Sequence, residues 1–139
     1  MIWTVKIVLL NGLYATSPCT HVIEMDSGTT LEDLHLVIQQ ALHFGNDHLY
    51  AFFIARTPRG RDRIRYDDEN GDLYGTKLAD LFPLPKGRKL FYYFDYGDCW
   101  VFEVSRTRKA PFAPRPGIRY PSLIETIGEN PQQYPRWEE

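Results

Sequence analysis

At 139 residues, with 43% apolar and 24% charged side chains, the chain suits one globular unit with a single core and is too short for two. A net charge of −2 creates no bulk attraction to nucleic acid or to an anionic membrane, so any polyanion site has to be a local patch. Aromatic residues make up 14%, a bias towards strands over a helical bundle.

The opening MIWTVKIVLLNG is broken by Lys6 and lacks both a basic lead-in and a small-residue cleavage site, so it does not read as a signal peptide. No run approaches the roughly twenty apolar residues of a membrane span. Cys19 and Cys99 are the only cysteines; with no secretory signal they are expected to be reduced thiols in the cytoplasm.

Residues 3–10, WTVKIVLL, are rich in β-branched and large apolar side chains and end at Asn11 and Gly12, a strong turn signal, so a strand is expected there. A second strand fits 20–25, THVIEM. A helix is predicted over 30–43. Thr30 stands three residues before Asp33, acidic Glu32 and Asp33 suit the positive end of a helix, and Leu31, Leu34, Ile38, Ala41 and Leu42 recur at helical spacing. Gly45 is expected to close it. Residues 48–55, HLYAFFIA, read as a buried strand. The polar stretch 56–75 leaves room for a short strand around Ile64 and Tyr66 and a tight hairpin at ENGD. Thr76 is expected to cap a helical turn in KLADLF, ended by Pro83 and Pro85. Strands at 88–95 and 100–106 are joined by YGDC. Beyond 109, Pro111, Pro114, Pro116, Pro121, Pro131 and Pro135 break any periodicity.

This order predicts a single α+β domain: a mixed β-sheet crossed by one main helix, a β-grasp-like N-terminal half and an extended Pro-rich C-terminal tail. The core domain is expected over 1–109, with 110–139 packing on it or trailing from it.

Four groups of residues carry candidate chemistry. Asp95 and Asp98 flank Gly97 in the stretch FDYGDCW and could face one cleft, as metal ligands or an acid/base pair. The favoured alternative is a hairpin turn, with Gly97 supplying a positive φ and the aspartates capping backbone N–H groups. His35 shares a helical face with Leu31, Ile38 and Leu42 and is expected to be a hydrogen-bonded core histidine. His48 opens the next strand and could approach His35, whereas His21 and His43 read as surface residues. Arg56, Arg59, Arg61, Arg63 and Arg65, with Tyr66, could grip phosphates. The acidic residues Asp62, Asp67, Asp68, Glu69 and Asp72 cancel much of that field, and the run DDENGD misses the register of a calcium loop. Cys99, between Asp98 and Trp100, could be a nucleophile only with a histidine brought close by the fold, and its setting beside an acidic residue argues against that role.

Taken together, TTLEDLHLVIQQAL, DHLYAFFI and KLFYYFDYGDCWVFEV, followed by a proline-rich tail, resemble the plasmid pRiA4b ORF-3-like family, whose members are also called passenger proteins of an insertion element. Leu31, Leu34, His35, Ile38, Gln39 and Ala41 match the family's helix motif. His48, Leu49 and Phe52 match its strand. Tyr93, Asp95, Gly97, Asp98 and Trp100 match its hairpin, with Tyr96 in place of a phenylalanine. Phe102 stands where a histidine is frequent, and GENPQQYP at 128–135 lacks the cysteine of many members, which removes support for a metal or redox site built on those features. The resemblance implies a link to mobile elements but no defined activity, and the chain holds no serine- or tyrosine-recombinase motif.

The function expected is that of a binding or interaction module for a protein or peptide partner, with no cofactor, no bound metal and no membrane. Its cleft would comprise His35, His48, Asp95, Asp98 and Trp100, with tail aromatics Tyr120, Tyr134 and Trp137 adding contact. The alternatives are a nucleic-acid-associated protein using Arg56 to Arg65 with Tyr66, and a metal-dependent enzyme using Asp95, Asp98, His35 and His48.

Overall fold

One seven-stranded sheet holds all the strands among the described residues, which are 1–69 and 72–134 of a computed structural model. In chain order the elements are β1 (Ile2–Asn11), β2 (Thr20–Asp26), α1 (Leu31–Leu42), β3 (Tyr50–Ala55), β4 (Ile64–Tyr66), the one-turn helix α2 (Leu78–Leu81), β5 (Lys89–Phe94), β6 (Trp100–Arg106) and β7 (Ser122–Ile127). The expected hairpin at ENGD falls on Asn70 and Gly71, outside the described residues, as does Trp137.

The strand order is β4-β3-β5-β6-β1-β2-β7, and every pairing among these strands is antiparallel. The expectation of a mixed sheet is therefore corrected. A parallel pair needs the chain to cross over and return beside the strand it left. Here α1 leads from β2 to β3, which β1, β6 and β5 separate, and the remaining neighbours are joined by hairpins or by opposed strands. The hairpin-then-helix opening is present, but the second neighbour of β1 is antiparallel β6, not the strand after the helix.

Alternation along the strands builds the core. Trp3, Val5 and Ile7, then Phe52 and Ile54, then Leu90, Tyr92 and Phe94 all face α1, which answers with Leu31, Leu34, Ile38 and Leu42. Each such side chain contributes roughly 1.5–3 kcal/mol on burial. Thr30 caps the helix, its Oγ1 accepting from the Asp33 N–H at 3.2 Å. The helix closes on His43 rather than Gly45: His43 takes a left-handed conformation (φ 58°), and the turn sends Phe44 back into the core. At α2, Asp80 accepts from the Lys77 N–H at 2.9 Å, so Lys77 is the cap position that Thr76 was expected to fill.

Residues after β6 cross the other sheet face at its β1–β2 end. Phe112 exchanges backbone hydrogen bonds with Ile2, and buried Glu24 receives Lys109 Nζ at 3.3 Å and Arg115 Nη1 at 3.7 Å. The segment expected to be an extended tail then supplies β7, which pairs with β2 at the sheet edge.

Candidate functional site

His35 is 2% exposed, and both its ring nitrogens are engaged. The Tyr92 hydroxyl donates to Nδ1 at 2.6 Å, and Nε2–H donates to Asn46 Oδ1 at 2.5 Å. Gln39 Nε2–H donates to the Tyr92 oxygen at 2.9 Å, while the Asn46 backbone N–H donates to Gln39 Oε1 at 3.0 Å. These four bonds form a closed ring joining α1, β5 and the loop after the helix. The imidazole also stacks on Tyr50, centroids 3.6 Å apart and planes 2° from parallel. Burial pushes its pKa down to about 4, against the opposing effect of the Asn46 bond. A neutral ring with no free lone pair is a structural histidine, not a ligand or a base.

The FDYGDCW stretch is a turn held by Asp95. Its Oδ1 accepts from the N–H groups of Gly97 (3.2 Å) and Asp98 (3.3 Å), and its carbonyl accepts from Cys99 N–H at 2.7 Å. Positive φ falls on Asp95 (58°) and Cys99 (57°), not on Gly97 as the sequence suggests. Asp98 lies partly buried beside it; desolvation first, and then the Asp95 carboxylate, hold its pKa above the usual value. Trp100 is fully buried against Phe44, ring centroids 5.1 Å apart, and a Cβ on Gly12 would fall 2.4 Å from its ring. Trp100 is thus a core residue rather than a cleft residue, because its strand position faces α1.

The structure brings His48, Asp95 and Tyr134 together and leaves His35 in its own network. His48 Nε2 stands 3.3 Å from Asp95 Oδ2 and 2.5 Å from the Tyr134 oxygen. Tyr134 donates to Asp47 Oδ2 at 2.9 Å, and Gln133 Nε2–H donates to Asp47 Oδ1 at 2.9 Å. Hydrogen bonds to Tyr134 and Gln133 keep the Asp47 pKa below its usual value against a desolvation that acts the other way. The C-terminal segment therefore occupies the hairpin side that His48 faces. Among the described residues no group of three or more His, Cys, Asp or Glu side chains is arranged to hold a metal ion.

The arginine run divides. Arg65 pairs with Asp67 at 2.6 Å and lies over the Tyr96 ring, 5.5 Å from its centroid. Arg63 lies over Phe53 at 4.4 Å and donates Nε–H to the Gly60 carbonyl at 2.7 Å. Arg56, Arg59 and Arg61 are exposed. Tyr66 pairs with Phe52 across the ladder and packs against the core, so strand alternation separates it from the arginines it was grouped with.

Arg59 and Arg63 instead wall an open groove of about 760 Å³ on the sheet face away from α1. Its floor is Phe53, Tyr93, Val101 and Leu10, contributed by β3, β5, β6 and β1, with Cys99 beside Tyr93. Sequence reasoning missed this site. Its signal was the unbroken apolar runs YAFFIA and KLFYYF, which place apolar residues on both faces of their strands. His21 is also corrected: it is 2% exposed, with Nδ1 3.8 Å from Cys19 Sγ, because its position on β2 shares the inward face of Ile23 and Met25. Desolvation lowers its pKa and raises that of the buried Cys19 thiol.

The chain is similar to the uncharacterized protein y4hQ of Sinorhizobium fredii, 27% identical over 103 residues, or 74% of this chain and 52% of that protein. It thus spans about half the length of that curated relative. Its fold matches the crystal structure of MM3350, a protein of unknown function from Methanosarcina mazei Go1, with a TM-score of 0.71 at 23% identity, over 90% of this chain and 68% of that one. No helix among the described residues is long and apolar enough to cross a membrane. The helix, strand and hairpin motifs lie within residues 3–133, which match the sequence model of the plasmid pRiA4b ORF-3-like proteins, and the chain belongs to that family.

Proposed function

We propose that this protein is a binding module whose ligand lies in the groove on the sheet face opposite α1. The observation that carries the reading is the groove itself: an apolar floor of Phe53, Val101 and Leu10 beside two cationic side chains. A concave, largely apolar site with a few placed polar groups is the usual form of a ligand site. The hairpin contributes Cys99 and Tyr93 to this surface, whereas His35 lies on the other side of the sheet and His48 is engaged by Tyr134. A cytoplasmic setting belongs to the same reading, supported by the free thiols Cys19 and Cys99. The test is a titration of isotope-labelled protein with a library of small ligands and short peptides. Amide shifts concentrated at Leu10, Arg59 and Val101 are expected; shifts confined to α1 and the Tyr134 segment overturn the proposal.

A nucleic-acid role is the second reading, favoured by the exposure of Arg56, Arg59 and Arg61. Against it, Arg63 covers Phe53 and Tyr96 stacks on one face of Tyr93 at 5.0 Å, which reduces the ring area left for a base to stack on. A gel-shift series in salt separates the two readings, since absence of binding at low salt removes this one.

A further inference from the structure

We infer that the groove takes a short extended peptide with adjacent acidic side chains at one end and apolar side chains at the other. This inference rests on the groove being the binding site and specifies its occupant.

Charge is the first argument. No residue lining the groove is acidic. Three carboxylates of the neighbouring strands and loops are engaged elsewhere: Asp62 with Arg88 at 2.9 Å, Asp67 with Arg65 at 2.6 Å, and Glu103, on the same sheet face, with Lys89 at 3.4 Å. Arg59 has no carboxylate partner among the described residues. Arg63 uses Nε on the Gly60 carbonyl and lies over Phe53, 4.4 Å from the ring centroid, which leaves its terminal nitrogens for a ligand. A neutral apolar occupant would strip water from two guanidinium groups and give nothing in return. Two separate guanidinium groups, rather than one fork, suit two neighbouring carboxylates more than a single chain terminus.

Length and polarity follow from the sheet. The floor crosses four strands, β3, β5, β6 and β1. Three interstrand steps of about 4.8 Å make a floor of roughly 14 Å, which about four residues of extended chain span at about 3.3 Å each. Arg63 stands over Phe53 at the β3 end and Arg59 belongs to the loop that follows β3, while Val101 and Leu10 lie on β6 and β1 at the opposite end. A segment of two acidic residues followed by two aliphatic ones matches both ends. Nucleic acid would satisfy the charge but would leave the apolar half, Val101 and Leu10, without a partner.

The experiment uses the full chain and a fluorescent peptide of two glutamates followed by two leucines, acetylated and amidated so that no terminal charge remains. Binding is followed by anisotropy across a salt series, with amide shifts locating the site. Expected results are binding that weakens with salt, and at least tenfold weaker binding both for the glutamine version of the peptide and for Arg59→Glu. Leu10→Asn is expected to weaken binding about threefold, consistent with losing part of one apolar contact. Arg59 and Leu10 are exposed, so both variants are expected to fold, which circular dichroism checks. Equal binding of the acidic and glutamine peptides in the groove overturns the acidic class but leaves the binding reading standing. Groove binding of single-stranded DNA in place of the peptide overturns the peptide assignment. Peptide binding with shifts away from the groove overturns both.

Discussion

Acidification should destabilise this fold through His35, and the size of the effect follows from its surroundings. The ring of hydrogen bonds requires a neutral imidazole: Nδ1 accepts from Tyr92 while Nε2–H donates to Asn46. Adding a proton at Nδ1 would set two donors face to face, and Tyr92 is already an acceptor from Gln39. The folded-state pKa is lowered from an ordinary 6.5 to about 4, chiefly by burial. Between those values the unfolded chain binds a proton that the folded protein refuses, so stability is full above about pH 6.5 and falls as pH drops towards 4. At about 1.4 kcal/mol per pH unit, the loss approaches roughly 3 kcal/mol by the lower limit. Burial of the ring, 2% exposed, means that solvent screening does not reduce this figure much. Urea denaturation from pH 7 to pH 4 measures the loss, and the ring carbon resonances of His35 report its titration directly. His21, whose pKa is also lowered, adds a loss of the same sign, so the His35→Gln variant is compared over the same range. A His35 resonance titrating near pH 6.5 in the folded protein, or an equal pH slope in wild type and variant, refutes the reasoning.

Tyr92→Phe removes one hydroxyl but strands two buried groups, His35 Nδ1 and Gln39 Nε2, and is expected to cost about 1–3 kcal/mol in urea denaturation. Asp95→Ala removes the acceptor of two turn N–H groups and the partner of His48, a loss of roughly 1–2 kcal/mol, whereas Asp98→Ala should stay within about 0.5 kcal/mol; equal effects would show that the turn is not held by Asp95. Gly128→Ala meets both a positive φ of 85° and the Pro18 carbonyl oxygen 2.2 Å from the new Cβ. It should destabilise by at least about 1 kcal/mol and speed hydrogen exchange in β7 before the rest of the sheet. Arg59→Glu should leave the denaturation midpoint unchanged while altering ligand binding, because its side chain is exposed on the groove rim.

Local chemistry was legible in the sequence. The spacing of Leu31, Leu34, Ile38 and Leu42 predicts α1, and Thr30 with Asp33 fixes its start, because a helix face and a cap are decided within a few residues. The apolar runs give β1, β2, β3, β5 and β6 to within about two residues for the same reason. The place of His35 in an apolar stripe was enough to identify it as a core histidine, and the glycine and aspartates of FDYGDCW as a turn. What the tertiary structure decided is everything that depends on pairing between remote segments. The apolar composition of β1 and β6 does not say that they meet in antiparallel register, and SLIETI becomes a strand only because β2 offers it an edge. The partners of His35, drawn from β5 and the loop after the helix, lie far apart in sequence. The groove is the plainest case. Phe53, Tyr93, Val101 and Leu10 sit on four strands, and only the sheet order puts them on one uncovered face, with Arg59 and Arg63 beside them.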